Sequence, residues 1–366
     1  MLFKEKIQYI DPLNVIFLCG SKYAPKSGKD KRFILKEFMS KDKDKYQTII
    51  LEENFVFAKS KKGYLAYDDI FLNNLTEVEK LASLYADKII IIHETISTAA
   101  EIGMLAGENT LISKMCILVP DDISIEEDKM SSFIKLAFFN HYDKSTCKPT
   151  EIRYYPDVET HRSSKNKSEY HMFFHENKIG KNLGSEILKF VQKPKIEKVI
   201  KFEKILYNKP YADNSILSYS VDKDKKKVNV SICANILKIQ LLSMFTIEKF
   251  RTAFRKEMPI KDHVTYIEDN YEDILLSTIC NKEGLDFEKY SIQVKLTDIN
   301  SCDLRQAVGY FLYMLQAARL IGLEQISDGV NSSVRRIRIS EQMELCIDSI
   351  KDYIYDESRT EFGGIL

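Results

Sequence analysis

Four isoleucines in a row, Ile89–Ile92, constrain this chain more than any other segment. Alternate residues of a strand point to opposite sheet faces, so an unbroken β-branched run needs cover on both. Sheets covered on both faces are typically parallel, with helices above and below. Two more segments carry the same signature. Residues 14–21 (Asn-Val-Ile-Phe-Leu-Cys-Gly-Ser) read as a buried strand ending in a small-residue turn, and residues 114–120 (Lys-Met-Cys-Ile-Leu-Val-Pro) as another. Tyr46–Leu51 supplies a fourth strand. Between these, Lys29–Lys45 alternates charge with Phe33, Ile34, Leu35 and Phe38. Asp68–Tyr85 has apolar residues at helical spacing, and Ala99–Glu108 reads as a helix. The pattern predicts α/β class, a doubly wound parallel sheet within a domain spanning residues 1–150. Ligands of such a sheet sit beyond the carboxyl ends of its strands, so the loops after residues 19, 51, 92 and 119 should border one cleft.

The 366 residues have room for two or three domains. After residue 150 the character changes. Residues 160–210 hold twelve Lys or Arg against five Asp or Glu, much of it on a helix expected over Leu183–Leu206. A solvated helix face and contact with a polyanion both fit this excess. We read 151–227 as a basic, partly helical connector and 228–345 as a mainly helical, winged-helix-like domain. Residues 346–366 read as a C-terminal helix and tail. In the helical domain Ile236–Phe245 is strongly apolar, and Thr246 is a candidate N-cap with Glu248 following. Asp303–Leu320 is an amphipathic helix. Residues 320–325 and 334–339 alternate like strands around a polar loop containing Gly329. A helix followed by a hairpin is how a winged-helix module ends. Arg335, Arg336 and Arg338 would then be nucleic-acid or partner contacts, unless the hairpin is purely structural.

Composition excludes several classes. Lys plus Arg and Asp plus Glu are 54 each, so the whole chain is no polycation. The seven cysteines are odd in number and form no Cys-x-x-Cys pair, which predicts reduced thiols and no zinc site. His171 and His175 are spaced for a helix face but lack the glutamate of a His-Glu-x-x-His motif, and no metal is expected. No apolar run reaches the roughly 18 residues of a membrane span, and Met1–Lys6 has no signal-like apolar segment. These features predict a cytoplasmic protein with no membrane contact.

The chemically informative segment is residues 87–103, Asp-Lys-Ile-Ile-Ile-Ile-His-Glu-Thr-Ile-Ser-Thr-Ala-Ala-Glu-Ile-Gly. A buried strand enters a loop of small hydroxyl residues, and a helix follows with Glu101 expected in its first turn. The helix dipole favours an ionised carboxylate there. Such a group at a cleft mouth can attack, or stabilise, an anomeric carbon as an N-glycosidic bond breaks. The alternative is that Glu101 only caps the helix.

The segment Ala86–Gly103 resembles the nucleoside 2-deoxyribosyltransferase family. There an Asp-plus-apolar strand leads through a Ser/Gly/Thr loop to Glu-Leu-Gly or Glu-Ile-Gly, whose glutamate is the nucleophile. Glu101-Ile102-Gly103 stands at that place. Phe17–Gly20 resembles the family's first strand and sugar-facing loop, and Met115–Asp121 the strand after its catalytic helix. The resemblance implies that Glu101 is the nucleophile. It implies that Glu79, eight residues before Asp87, orients the sugar, with Asp68 and Asp69 as competing candidates. Cys19, Gly20, Ser21, Asp69, His93, Glu94, Ser97 and Thr98 become substrate contacts on the same ground. More narrowly, the chain resembles effector proteins of bacterial retrons, well over residues 12–125 and by architecture alone beyond them. In those antiphage systems a toxic protein is paired with a reverse transcriptase and its RNA–DNA hybrid.

Two departures bear on the substrate. The glycine of the family's Ser-Gly-Thr loop is replaced, and Ile96-Ser97-Thr98-Ala99 stands nearby. Thr95 occupies the position where salvage enzymes carry a base-contacting acid, six residues before the nucleophile. Glu94 is either its replacement or an exposed loop charge. The resemblance therefore implies an N-glycosidase that consumes NAD as substrate, needs no cofactor, and is kept silent by the reverse transcriptase and its multicopy single-stranded DNA/RNA. A homo-oligomer that completes the site across subunits fits the same resemblance. The alternatives are a nucleotide-sensing DNA-binding regulator without catalysis and a salvage nucleoside deoxyribosyltransferase.

Overall fold

The computed structural model describes residues 6–42, 46–54, 75–106, 109–121, 142–143, 148–149, 152–156, 173–194, 198–205, 216–299, 302–325 and 334–362. Its contacts divide the chain into two compact units that interleave in sequence. The first comprises residues 14–54 and 86–194, and the second comprises 1–13, 55–85 and 195–366. These units run across the linear boundaries drawn at 150, 227 and 345.

The first unit is built on strands β1 (Val15–Cys19), β2 (Gln47–Ile49), β3 (Lys88–Ile92), β4 (Met115–Asp121) and β5 (Ile152–Pro156). Its helices include α1 (Lys31–Met39), α2 (Ile96–Ala106) and α3 (Lys181–Val191). The five strands form one parallel sheet in the order β2-β1-β3-β4-β5. Ile16, Leu18, Ile90, Ile92, Cys116 and Leu118 share a face and pack with Ile34 and Leu35 of α1 and with Leu183, Ile187 and Phe190 of α3. The alternate residues Phe17, Ile89, Ile91 and Ile117 are also buried, so both faces are covered. Burial of each such side chain contributes roughly 1.5–3 kcal/mol before conformational entropy is subtracted.

The second unit carries a mixed five-stranded sheet. The strand Lys6–Tyr9 pairs with β6 (Lys198–Lys204), followed by β7 (Ile216–Asp222), β8 (Lys227–Ile232) and, at the far edge, a strand at Ser291–Leu296. The helices are α4 (Ala234–Met244), α5 (Glu248–Phe254), α6 (Ile260–Glu283), α7 (Leu304–Ala317) and α8 (Glu341–Phe362). The helix Leu75–Tyr85 also belongs here and packs on α4 and α7. A second, three-stranded sheet has the order Met258–Pro259, Val334–Ile339, Ile321–Gln325, with antiparallel pairing throughout. α4 is buried at every position but Asn235, and Lys238 within it is fully buried. Its ammonium pairs with Asp11 and donates to the Tyr85 carbonyl at 3.0 Å, while Asp11 accepts from Leu13 N at 3.1 Å.

Several sequence expectations are corrected. The helix expected over Leu183–Leu206 ends at Val191, with Pro194 just beyond, and β6 follows, burying Ile200 and Phe202 at strand spacing. Residues 228–232, expected to begin a helical region, lie in β8. Thr246 does not cap α5. Its hydroxyl donates to Ser243 O at 2.7 Å, and Ile247 takes the N-cap position without a side-chain bond. Asp303 does cap α7, in a reciprocal capping box with Gln306. Among the described residues six cysteines are free, five of them buried. No helix among those residues is long and apolar enough to cross a membrane.

Candidate functional site

With β2 on one side of β1 and β3 on the other, the chain reverses direction across the sheet between β1 and β3. Open parallel sheets bind ligands in the crevice outside the carboxyl ends of two such strands. Residues 20–21 follow β1, and residues 93–95 follow β3. Ser21 Oγ donates to Glu94 Oε2 at 3.2 Å. Tyr155 OH, from β5, donates to Glu94 Oε1 at 3.2 Å, and Lys31 Nζ pairs with the same oxygen. Lys31 also lies 5.3 Å from the centre of the Tyr155 ring. The Glu94 side chain keeps 23% exposure and that of Lys31 13%. The crevice thus gathers a hydroxyl, an ammonium, a phenol and a carboxylate from four elements.

The β1–α1 loop is shaped by its own residues. Asp30 caps α1, accepting from Arg32 N at 3.0 Å and Phe33 N at 3.1 Å, and also accepts from Ala24 N at 2.6 Å. A phosphate would otherwise find donors at this helix end, and a carboxylate already fills it. Arg32 is 3% exposed, donates from Nη1 to both Glu52 oxygens at 2.9 and 2.8 Å and from Nη2 to Ser21 O, and lies 5.4 Å from the Tyr23 ring centre. A Cβ on Gly20 would come within 2.9 Å of Arg32 Cδ, so packing against Arg32 accounts for this glycine. Burial and the neighbouring Glu53 push the Tyr23 hydroxyl well above its ordinary range.

At the β3–α2 corner the helix begins at Ile96, three residues earlier than expected. Thr98 is fully buried. Its hydroxyl donates to Thr95 O at 2.7 Å and accepts from Thr95 N at 3.1 Å, with His93 Nδ1 at 3.2 Å. Thr98 therefore fastens the corner instead of facing a ligand. Burial lowers the His93 pKa, which leaves a neutral imidazole at pH 7. Ser97 is exposed, and Ile96 is 90% exposed. Glu101 is the sixth residue of α2, in its second turn, half-buried with Oε2 inside. The dipole falls off within the first turn, so it gives the Glu101 carboxylate little of the stabilisation expected there.

The other expected residues divide as follows. Cys19 is buried at the end of β1. Glu79 is half-buried on the helix Leu75–Tyr85, which belongs to the second unit. Asp68, Asp69, His171 and the hairpin loop with Gly329 lie outside the described residues. Asp87 holds the sheet, accepting from Val15 N at 2.7 Å. On the hairpin, Arg335 donates to Val334 O at 2.9 Å, Arg336 pairs with Glu257, and Arg338 pairs with Glu324 at 2.6 Å. The two exposed arginines are thus matched by acids, which reduces the positive field expected there. Surface pairs of this kind are worth about 0–1 kcal/mol and open readily for a stronger anion. Sequence reasoning missed Lys31, Arg32 and Tyr155. The basic run Lys29–Arg32 after a strand was a usable signal for the first two, and nothing local marked Tyr155.

A protein-family model described as STM3845 retron effector protein matches residues 28–323, well over half of the chain. No curated protein matches it.

Proposed function

The chain belongs to the STM3845 retron effector family, and from that premise we propose that it is the toxic component of an antiphage retron. In this reading it is an N-glycosidase that cleaves the ribose–base bond of NAD or a related nucleotide. The observation that carries the reading is the crevice between β1 and β3, where Ser21, Lys31, Glu94 and Tyr155 converge beside the corner that leads to Glu101. Glu101 attacks C1′, or stabilises its positive charge, as the C1′–N bond breaks and its electrons leave with nicotinamide. Water then attacks C1′, releasing ADP-ribose and a proton and restoring the carboxylate. Neutral His93 and exposed Ser97 offer polar contacts at the same corner.

The reverse transcriptase and its RNA–DNA hybrid would hold the effector silent through the second unit. Supporting a winged-helix-like module there are α5, strand 258–259, α6, α7 and strands 321–325 and 334–339, with 334–339 central in their sheet, although strand 291–296 intervenes between α6 and α7 and joins the five-stranded sheet instead. α7, the element that would read a DNA groove in such a module, is buried at twelve of its fourteen positions. The hairpin arginines and the basic β6 are the better nucleic-acid or partner contacts in this reading.

The test is NAD content in cells expressing the chain with its genomic neighbours, before and after phage challenge, for wild type and Glu101→Gln. Loss of NAD in wild type alone is expected. Constant NAD in both removes NAD glycohydrolysis. The placement of Glu101 in the second turn of α2 favours one other reading, a nucleotide-binding regulator that leaves its ligand intact.

A further inference from the structure

We propose that Glu94 binds the 2′-hydroxyl of the substrate sugar, so that the crevice selects ribonucleotides over 2′-deoxyribonucleotides. This rests on the nucleotide-cleaving reading above and goes further, because it assigns one residue the choice between ribose and deoxyribose. A carboxylate has about four lone-pair sites. Lys31 and Tyr155 take both on Oε1, and Ser21 takes one on Oε2. Among the described residues one acceptor therefore stays open on Oε2, the oxygen that Ser21 reaches, on a side chain that retains 23% exposure.

The group that fills it must be a donor and must not be an anion. Phosphate is excluded by like charge, both here and at the α1 end that Asp30 closes. A sugar hydroxyl and a base amine remain. Position decides for the sugar. Glu94 lies on the β3–α2 connection and Glu101 in the second turn of the α2 that this connection opens, and C2′ is bonded to the C1′ that reacts. In open parallel sheets an acid at a strand end accepts from ribose hydroxyls. Three donors fix the Glu94 rotamer before the ligand arrives, so the bond is charge-assisted and its geometry is set in advance. Loss of one such bond lowers affinity at least about tenfold.

The experiment uses the full chain carrying Glu101→Gln, which keeps ligands intact, and measures the Kd of ATP and of 2′-deoxy-ATP. ATP is expected to bind at least about tenfold more tightly. Adding Glu94→Gln should bring the ratio to within about threefold, and adding Ser21→Ala should reduce it by less, because one of three anchors is lost. A ratio of Kd values from one preparation does not depend on the folded fraction, so partial misfolding of a variant cannot imitate the result. Equal binding of the two nucleotides, a preference unmoved by Glu94→Gln, or failure to bind either overturns the proposal. A Glu94→Gln change that alters the choice among bases but not between sugars overturns it in favour of the base. Base release from NAD by wild type against Glu101→Gln is scored separately and reports on the glycosidase reading alone.

Discussion

Two lysine–carboxylate pairs of this molecule differ in how far burial closes them. Lys238 and Asp11 lie in the second unit at 1% and 4% side-chain exposure, and each makes a further bond to the backbone. Lys31 and Glu94 lie in the crevice of the first unit at 13% and 23%. The first pair is closed, and no water or ligand replaces a lost partner. The second is partly open to solvent, and among the described residues one acceptor on Glu94 has no donor. If the proposal for Glu94 holds, the same two chemical groups serve structure in one place and recognition in the other, and burial sets the difference.

Breaking the closed pair gives the largest expected effect. Lys238→Ala leaves Asp11 buried without its cation and the Tyr85 carbonyl without a donor, which costs about 3–5 kcal/mol in denaturant unfolding. Pairing Lys238→Met with Asp11→Leu should restore most of that loss, since two apolar groups replace two charges. Next is Thr98→Val, nearly isosteric, which strips an acceptor from the backbone at the β3–α2 corner. It should destabilise the chain by about 1–3 kcal/mol in the same assay. Lys31→Met sharpens the contrast from the other side. Unfolding should shift by no more than about 1 kcal/mol, because water reaches Glu94, while ATP binding weakens measurably. A destabilisation as large as that of Lys238→Ala would erase the distinction between the two pairs.

The smallest effect is pH dependence. Burial lowers the pKa of His93 and of fully buried His263 from the ordinary 6.5, so the folded chain holds both rings neutral while the unfolded chain protonates them. Their contribution is complete above pH 6.5 and is lost as pH falls below it. Melting temperatures at pH 7.5 and pH 5 should fall in that order, and less so in a His263→Gln variant.

The sheet was legible where residues are apolar on both faces, as in Ile89–Ile92 and Val15–Cys19. β5 was not, because Ile-Arg-Tyr-Tyr-Pro lacks such a run and its place is fixed by parallel pairing with distant β4. β6 was read as helix because its lysines and apolar residues fit both periods. Pairing with β7 and the strand Lys6–Tyr9 decides for strand. Strand ends exposed Ser21, His93 and Glu94 to sequence reasoning. Lys31 and Tyr155 join them only through side-chain convergence, which no spacing encodes. Thr98 matched a ligand-binding pattern and serves the turn itself, a substitution of roles that hydroxyl residues near helix starts readily make.

The interleaving of the two units has a consequence for synthesis on the ribosome. Translation proceeds at roughly 5–20 residues per second, and domains generally fold as they emerge. The parallel sheet has all its strands and α3 once residue 194 is out. The helix Leu75–Tyr85, made before β3, needs α4 and α7, and its buried Val78, Leu81 and Tyr85 await residues as far along as Ala317. That interval lasts on the order of ten seconds at such rates. A nascent chain released before α7 is made carries this uncovered apolar helix between two strands of its sheet, as a ready signal for chaperones and proteases.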